Sequence, residues 1–405
     1  MDDKKRWMQN LFRYEFNDLV TSTHPLKNIK AIEAIKGCRT AEMGVSYFTC
    51  RDRHEVYERA HSCRHRSCPL CSEQSKQKWI EAEKSRLFDC PHYHVVFTVP
   101  HEYRVLWHYN EAWFTRTLFK LSSDTLLTLL KNKKHGGLTP GILMSLHTWG
   151  RQLNWHAHTH CLVTAGGLDQ GDHWKSLDEY LLPIRLVKRF YRSRFQSAVR
   201  DAFVSGELQL PPDQSERQFW QSYRQVYKKE WSVRIEERYD HGKGVMLYLS
   251  RYLRGGPLNP EQLQSCNAKR VSFKYKDHRE NRIKTLELKR DEFTRRVLLH
   301  VPVTGMHTVR HYGLYASAAK PKRERCCQVW GTISKGSSLS SAEVIEKVLL
   351  CKVCGNPAKR THSIWRSERK GISLIKESAF DLVQQDDEAH QAKELRSRDP
   401  CNLVA

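Results

Sequence analysis

Residues 38–75 constrain the chain most, because they are rich in Cys, His and Arg and show little apolar periodicity. A segment this short and polar cannot bury enough surface to hold itself together, so a metal is the expected staple. Cys63-x4-Cys68-x2-Cys71 is a dense thiolate set, with Cys50 upstream in Phe48-Thr49-Cys50. Cys50, Cys63, Cys68 and Cys71 together would make the closed four-thiolate Zn²⁺ site that structural zinc prefers. His54 and His61 are close enough for a histidine to replace one thiolate. Buried free thiols are the alternative, which the Cys-Pro-x-Cys spacing disfavours. Arg64 and Arg66, interleaved with these ligands, suit a DNA-reading surface.

A second cluster lies in His156-Ala157-His158-Thr159-His160. Successive side chains of a strand point to opposite sides, so His156, His158 and His160 share a face. A divalent metal held there would act as a Lewis acid on a phosphate. Imidazoles suit Mn²⁺ or Zn²⁺ better than Mg²⁺, although waters can complete the shell of a hard ion. His158 and His160 are the firm ligands, His156 is the candidate third and His94 stands behind it. An exposed edge strand with histidines on its wet face is the plainer alternative.

About ninety residues on, Tyr248 and Tyr252 lie four apart, which puts both phenols on one helix face. Such pairs usually pack a core, but a phenolate favoured by a nearby cation is a workable nucleophile. Lys243, Arg251 and Arg254 supply positive charge close by.

The chain has 405 residues, 39% of them hydrophobic, enough for a sizeable core in two or three domains. A net charge of +23 calls for a polyanionic partner, since each Lys or Arg near a phosphate releases counterions. No apolar run approaches the roughly 20 residues of a membrane span. No signal-type stretch follows the first residues, so a cytoplasmic protein is expected, with its 13 cysteines as ligands or buried thiols.

Apolar spacing predicts two helices within 1–37 and further helices over 76–90, 111–132, 185–203, 217–230 and 293–299. Strands are expected over 94–99, 142–146 and 158–164, and a hairpin over 271–275 and 283–288. The expected division is 1–75 as a helical and zinc-binding domain, 76–319 as the catalytic domain and 320–405 as a separate basic tail. That tail carries Cys351-x2-Cys354-Gly355, half of a zinc knuckle, to which Cys326 and Cys327 could supply the other half.

The segments His61–Cys71, Tyr93–Pro100, Leu146–Gly150, His158–Val163, Tyr248–Leu253 and Arg310–Leu314 occur in this order. Over residues 20–320 the chain resembles the two-tyrosine HUH transposases of rolling-circle insertion sequences that carry an N-terminal zinc-binding domain. Two positions depart from the family pattern. Thr159 stands where a bulky apolar residue separates the two histidines, and Arg53 stands where a further cysteine is usual. Cys38, in Cys38-Arg39-Thr40, belongs to another family signature.

The resemblance implies an α+β nuclease fold with a central antiparallel sheet flanked by helices. It implies Mg²⁺ or Mn²⁺ at the histidines and Zn²⁺ at the cysteines. It also implies the chemistry, in which a tyrosine attacks single-stranded DNA, forms a 5′-phosphotyrosine link and frees a 3′-OH. The second tyrosine then allows a second cleavage and strand transfer during DNA transposition. A replication initiator or relaxase would use the same chemistry elsewhere. A non-catalytic zinc-dependent DNA-binding protein is the rival from another class, disfavoured by the intact histidine and tyrosine pairs.

Overall fold

The computed structural model describes residues 3–16, 24–240, 244–245, 248–249, 256–258, 260–277, 280–333, 349–367 and 371–375. The fold is α+β. Its centre is a five-stranded antiparallel sheet in the order β12-β4-β5-β3-β8. The strands are β3 (His92–Thr98), β4 (Gly141–Trp149), β5 (Trp155–Thr164), β8 (Val233–Tyr239) and β12 (Val309–Gly313). β4 and β5 are long and buried on both faces, hence the near-continuous apolar run Ile142–Leu146.

One face of the sheet carries Val95, Phe97, Met144, Ala157, Cys161 and Val163 into the largest core. Two long helices cover that face, α5 (Glu111–Lys131) and α6 (Ile184–Val204). On α5, Phe114, Leu118, Leu126 and Leu130 are wholly buried, as a stripe at helical spacing requires. α7 (Glu216–Lys228) begins at Ser215 with a capping box. The Ser215 hydroxyl accepts from the Gln218 N–H while the Gln218 side chain accepts from the Ser215 N–H.

The other face of the sheet carries Leu143 and Leu162 into a second core with Ile80, Tyr248, Leu249 and Tyr315. α3 (Pro69–Lys84) contributes to it through Ile80. A third core joins α1 (Asp3–Glu15) and α2 (Leu26–Gly37) to the three-stranded sheet β11-β10-β9 and to the helix Arg290–Leu299. Those strands are β9 (Leu263–Cys266), β10 (Arg270–Lys276) and β11 (Ile283–Lys289). Trp7 meets Phe293 with ring centroids 5.6 Å apart, and Arg290 pairs with Glu15 at 2.8 Å.

The sequence placed no strands in 38–75, yet β1 (Val45–Thr49) and β2 (Val56–Ala60) form a hairpin there. The segment expected to be a separate tail does not stand apart. β13 (Lys359–Ser367) pairs with β1, and β14 (Gly371–Ile375) with β13, giving a four-stranded sheet β14-β13-β1-β2. The helix Lys320–Trp330 sets Cys326 into the core that holds Tyr315. The serine-rich stretch near 335–341 and the charged end of the chain lie outside the described residues.

Two histidines are core elements. His92 donates from Nδ1 to the Cys90 carbonyl at 2.7 Å and accepts the Tyr315 hydroxyl at Nε2, 2.8 Å away. His300 donates from Nε2 to the Leu153 carbonyl at 3.1 Å and accepts the Thr148 hydroxyl at Nδ1, at 3.2 Å. Both rings are satisfied only when neutral, and burial pushes each down to about 4 from 6.5. The unfolded chain therefore takes up protons first as pH falls. Stability is fully present above pH 6.5 and is lost progressively down to about pH 4, by roughly 3 kcal/mol per group at most. Urea midpoints measured from pH 7.5 to 4.5 should fall steadily, and His92→Gln should make that slope shallower.

Candidate active site and zinc-binding domain

β5 is the middle strand of the central sheet, so its side chains are framed on both sides. His158 lies opposite His147 of β4 and Thr98 of β3, while His160 lies opposite Ser145 and Val96. One ring nitrogen from each of His147, His158 and His160 lies within 4.8 Å of the other two. His158 donates from Nδ1 to the His156 carbonyl at 2.7 Å, which leaves a lone pair on Nε2. His160 can donate from Nδ1 to His94 Nε2 at 2.9 Å, which frees its Nε2 as well. These two Nε2 atoms face each other at 3.0 Å, an arrangement that either a shared proton or a shared metal ion satisfies. Burial first, and then the His147 charge, hold both imidazoles well below their ordinary range. Neutral imidazoles are what a metal needs, so the donor set fits a divalent ion with open positions.

The third member of the set is His147, where the sequence pointed to His156. His156 sits at the strand end beyond the last β3 pair, Thr98↔His158, and its side chain is exposed. It contributes its carbonyl. His94, the reserve candidate, orients His160. Register alone would not have found His147: the return pairs Trp149 with Trp155, and an irregularity between His147 and Trp149 shifts the pairing by one so that His147 lies opposite His158. Thr159 points to the other face, wholly buried, with its hydroxyl 3.4 Å from Ser122 of α5. The departure from a bulky apolar residue is thus absorbed on the side away from the histidines.

Tyr248 lies on the histidine face. Its ring meets His94 edge-on at 5.1 Å between centroids and Tyr239 at 6.1 Å, and it is fully buried. Tyr252, Lys243, Arg251 and Arg254 lie outside the described residues.

The cysteine cluster differs from expectation in one ligand. Cys38, Cys63, Cys68 and Cys71 come together, with Cys38 and Cys63 Sγ at 3.4 and 3.6 Å from Cys71 Sγ. Cys38 and Cys63 flank the base of the β1–β2 hairpin, where the Arg39 N–H donates to the His61 carbonyl. Cys68 and Cys71 sit at the start of α3, with Pro69 at its first position. Cys50 instead follows the last residue of β1, at the hairpin tip. A five-residue strand at about 3.3 Å per residue carries it roughly 15 Å from the base. The four sulfurs split one another's acidity. Hydrogen bonds from Cys38, Cys63 and Cys68 hold Cys71 far down, while Cys38 above all pushes Cys63 and Cys68 up. All four can be thiolates together only around a cation.

Comparison with known proteins decides the family. The segment 11–99 matches the family model described as "Transposase zinc-binding domain", and 141–323 the one described as "Putative transposase". The chain is 31% identical over 306 residues to "Putative transposase y4qJ" of Sinorhizobium fredii, covering 74% of this chain and 77% of that one. It is also 31% identical over 299 residues to the transposase for insertion sequence element IS801 of Pseudomonas savastanoi pv. phaseolicola, covering 71% and 70%. The chain belongs to the IS91 transposase family.

In this transposase the zinc-binding domain reaches toward the central sheet. Arg66 lines a cleft with Trp107, Glu111, Trp149, Trp155 and His300. Arg64 is exposed and left-handed in backbone, φ +52°, beside the cysteine cluster. Among the described residues no helix is long and apolar enough to cross a membrane.

Replacing Cys38 by Ser should release the zinc of the four-sulfur cluster and loosen residues 38–75, since metal binding and folding are one equilibrium in such sites. Elemental analysis with limited proteolysis checks this. Cys50→Ser should leave that cluster's zinc in place.

Proposed function

We propose that this transposase cleaves and rejoins single-stranded DNA through a 5′-phosphotyrosine intermediate, in rolling-circle-type transposition. The observation that carries the reading is the set of three imidazoles converging on one face of the central sheet, with the Tyr248 ring on that same face. His158, His160 and His147 would hold a divalent ion, Mn²⁺ or Mg²⁺. When bound, the ion supplies Lewis acidity to a phosphate oxygen.

The chain's own residues do the rest. His94 and the His156 carbonyl fix the tautomers of His160 and His158, so their Nε2 atoms stay available. A tyrosine gives up its phenolic proton, and its oxygen forms a bond to the scissile phosphorus. The bond from phosphorus to the 3′ oxygen breaks, and that oxygen takes up a proton to become a free 3′-OH. The DNA end stays on the protein as a phosphotyrosine, and attack by a 3′-OH reverses the step and joins strands. Tyr248 and Tyr252 are the two nucleophiles. The second cuts again while the first holds an end. The net charge of +23 supplies affinity for the strand that is separate from the chemistry.

The test is cleavage of an end-labelled single strand with and without added Mn²⁺ or Mg²⁺. His158→Ala and His160→Ala should each lower cleavage by about 10²-fold or more while binding stays near wild type. Undiminished cleavage in both would place the metal site elsewhere. Tyr248→Phe or Tyr252→Phe should still yield a covalent adduct in one-step cleavage, and the double variant none. Mass spectrometry of the adduct locates the nucleophile, and an adduct on neither tyrosine overturns the mechanism.

A further inference from the structure

Cys50, freed from the four-sulfur cluster, has company. His54 lies across the hairpin tip from it, and Cys351 and Cys354 arrive from the other end of the chain. The ligand atoms of these four residues lie within 4.8 Å of one another. Cys50 Sγ is 3.7 Å and Cys351 Sγ 3.9 Å from His54 Nδ1. Those separations are long for a hydrogen bond. They are close to the ligand–ligand edge of a zinc tetrahedron, roughly 3.5–3.8 Å for Zn–S near 2.3 Å and Zn–N near 2.05 Å.

Both arms are shaped as ligand-bearing turns. At the hairpin tip Arg53 takes a left-handed φ of +55°, its N–H donates to the Cys50 carbonyl, and the His54 N–H donates to Cys50 Sγ at 3.5 Å. On the other arm Gly355 takes φ +71° and its N–H donates to the Cys351 carbonyl at 2.9 Å. Cys50 and Cys351 are buried, at 0% and 2% exposure, in a part of the molecule with little apolar cover.

The strands beside the turns hold the arms together. β13 pairs with β1 from Val45↔Ile364 to Thr49↔Lys359, ending next to Cys50. The Ser46 and Ser363 hydroxyls meet at 2.8 Å, Tyr47 stacks on His362, and the Lys352 N–H donates to the Tyr57 hydroxyl. Gly44, at φ +95°, lets the β13 backbone approach so closely that a Cβ there would stand 2.3 Å from the Ile364 carbonyl oxygen.

We propose that Cys50, His54, Cys351 and Cys354 form a second structural zinc site, which clasps the C-terminal strands to the N-terminal zinc-binding domain. Two of its ligands lie beyond the segment 11–99 that matches the zinc-binding domain, so the working module is assembled from both ends of the chain. Cys326 and Cys327 take no part.

The test is zinc content per full-length chain, purified without chelator and dialysed against Mg²⁺. Wild type should retain one equivalent more than Cys351→Ser/Cys354→Ser, and Cys38→Ser should lose a different equivalent, so that the two losses add. His54→Ala should weaken retention of the second zinc, and His54→Cys should restore it. Co²⁺-loaded protein should show thiolate-to-metal absorption that falls in the Cys351→Ser/Cys354→Ser variant without vanishing. Equal zinc in wild type and that variant overturns the proposal. So does loss of all zinc in both Cys351→Ser/Cys354→Ser and His54→Cys, because that pattern reports misfolding and not a ligand set.

Discussion

Strict alternation along β5 is the constraint on which this molecule turns. In one ten-residue strand, Ala157, Thr159, Cys161 and Val163 go to the α5 side, and His158, His160 and Leu162 go to the other. Slipping the register by one residue would bury the imidazoles against α5 and turn the apolar set into the site. Packing on one face therefore fixes the placement of the histidines on the other. The paired strands β3 and β4 then deliver His94 and His147 without any loop being needed to place them. A site built on the middle of a sheet holds its geometry better than one on a loop tip.

Much of this was legible because it obeys short periods. The helices over 111–132, 185–203 and 217–230 and the hairpin over 271–288 emerge close to their expected limits, since their apolar spacing matches what they bury. The pair His158 and His160 follows from alternation alone. What sequence did not show needed partners distant along the chain. β8 reads Val-Arg-Ile-Glu-Glu-Arg-Tyr, too polar to announce a strand until β3 is beside it. β1 and β2 are similarly disguised by the cysteines around them.

The structure groups the cysteines differently from their spacing, for an instructive reason. Spacing along the chain groups Cys50 with its nearest neighbours, but a hairpin separates its tip from its base. Cys38 and Cys63, 25 residues apart, meet at the base, and Cys50 between them is carried away. Counting strand residues, as opposed to counting cysteines, would have paired them. His147 joins the histidine group for the same kind of reason, since its neighbour is across a strand and not along it.

The pairing of β1 with β13 has a consequence in time. Thr49 and Lys359 are partners, so the inner strand β1 waits for about 310 further residues to be synthesised. At roughly 5–20 residues per second that is about 15–60 seconds on the ribosome. Through that interval the outward edge of β1, a row of unpaired N–H and C=O groups, stands open. A chain cut short before β13 never closes it. Completion of the sheet thus marks a chain translated past β13, and a copy terminated before β13 carries an open edge that the longer one lacks.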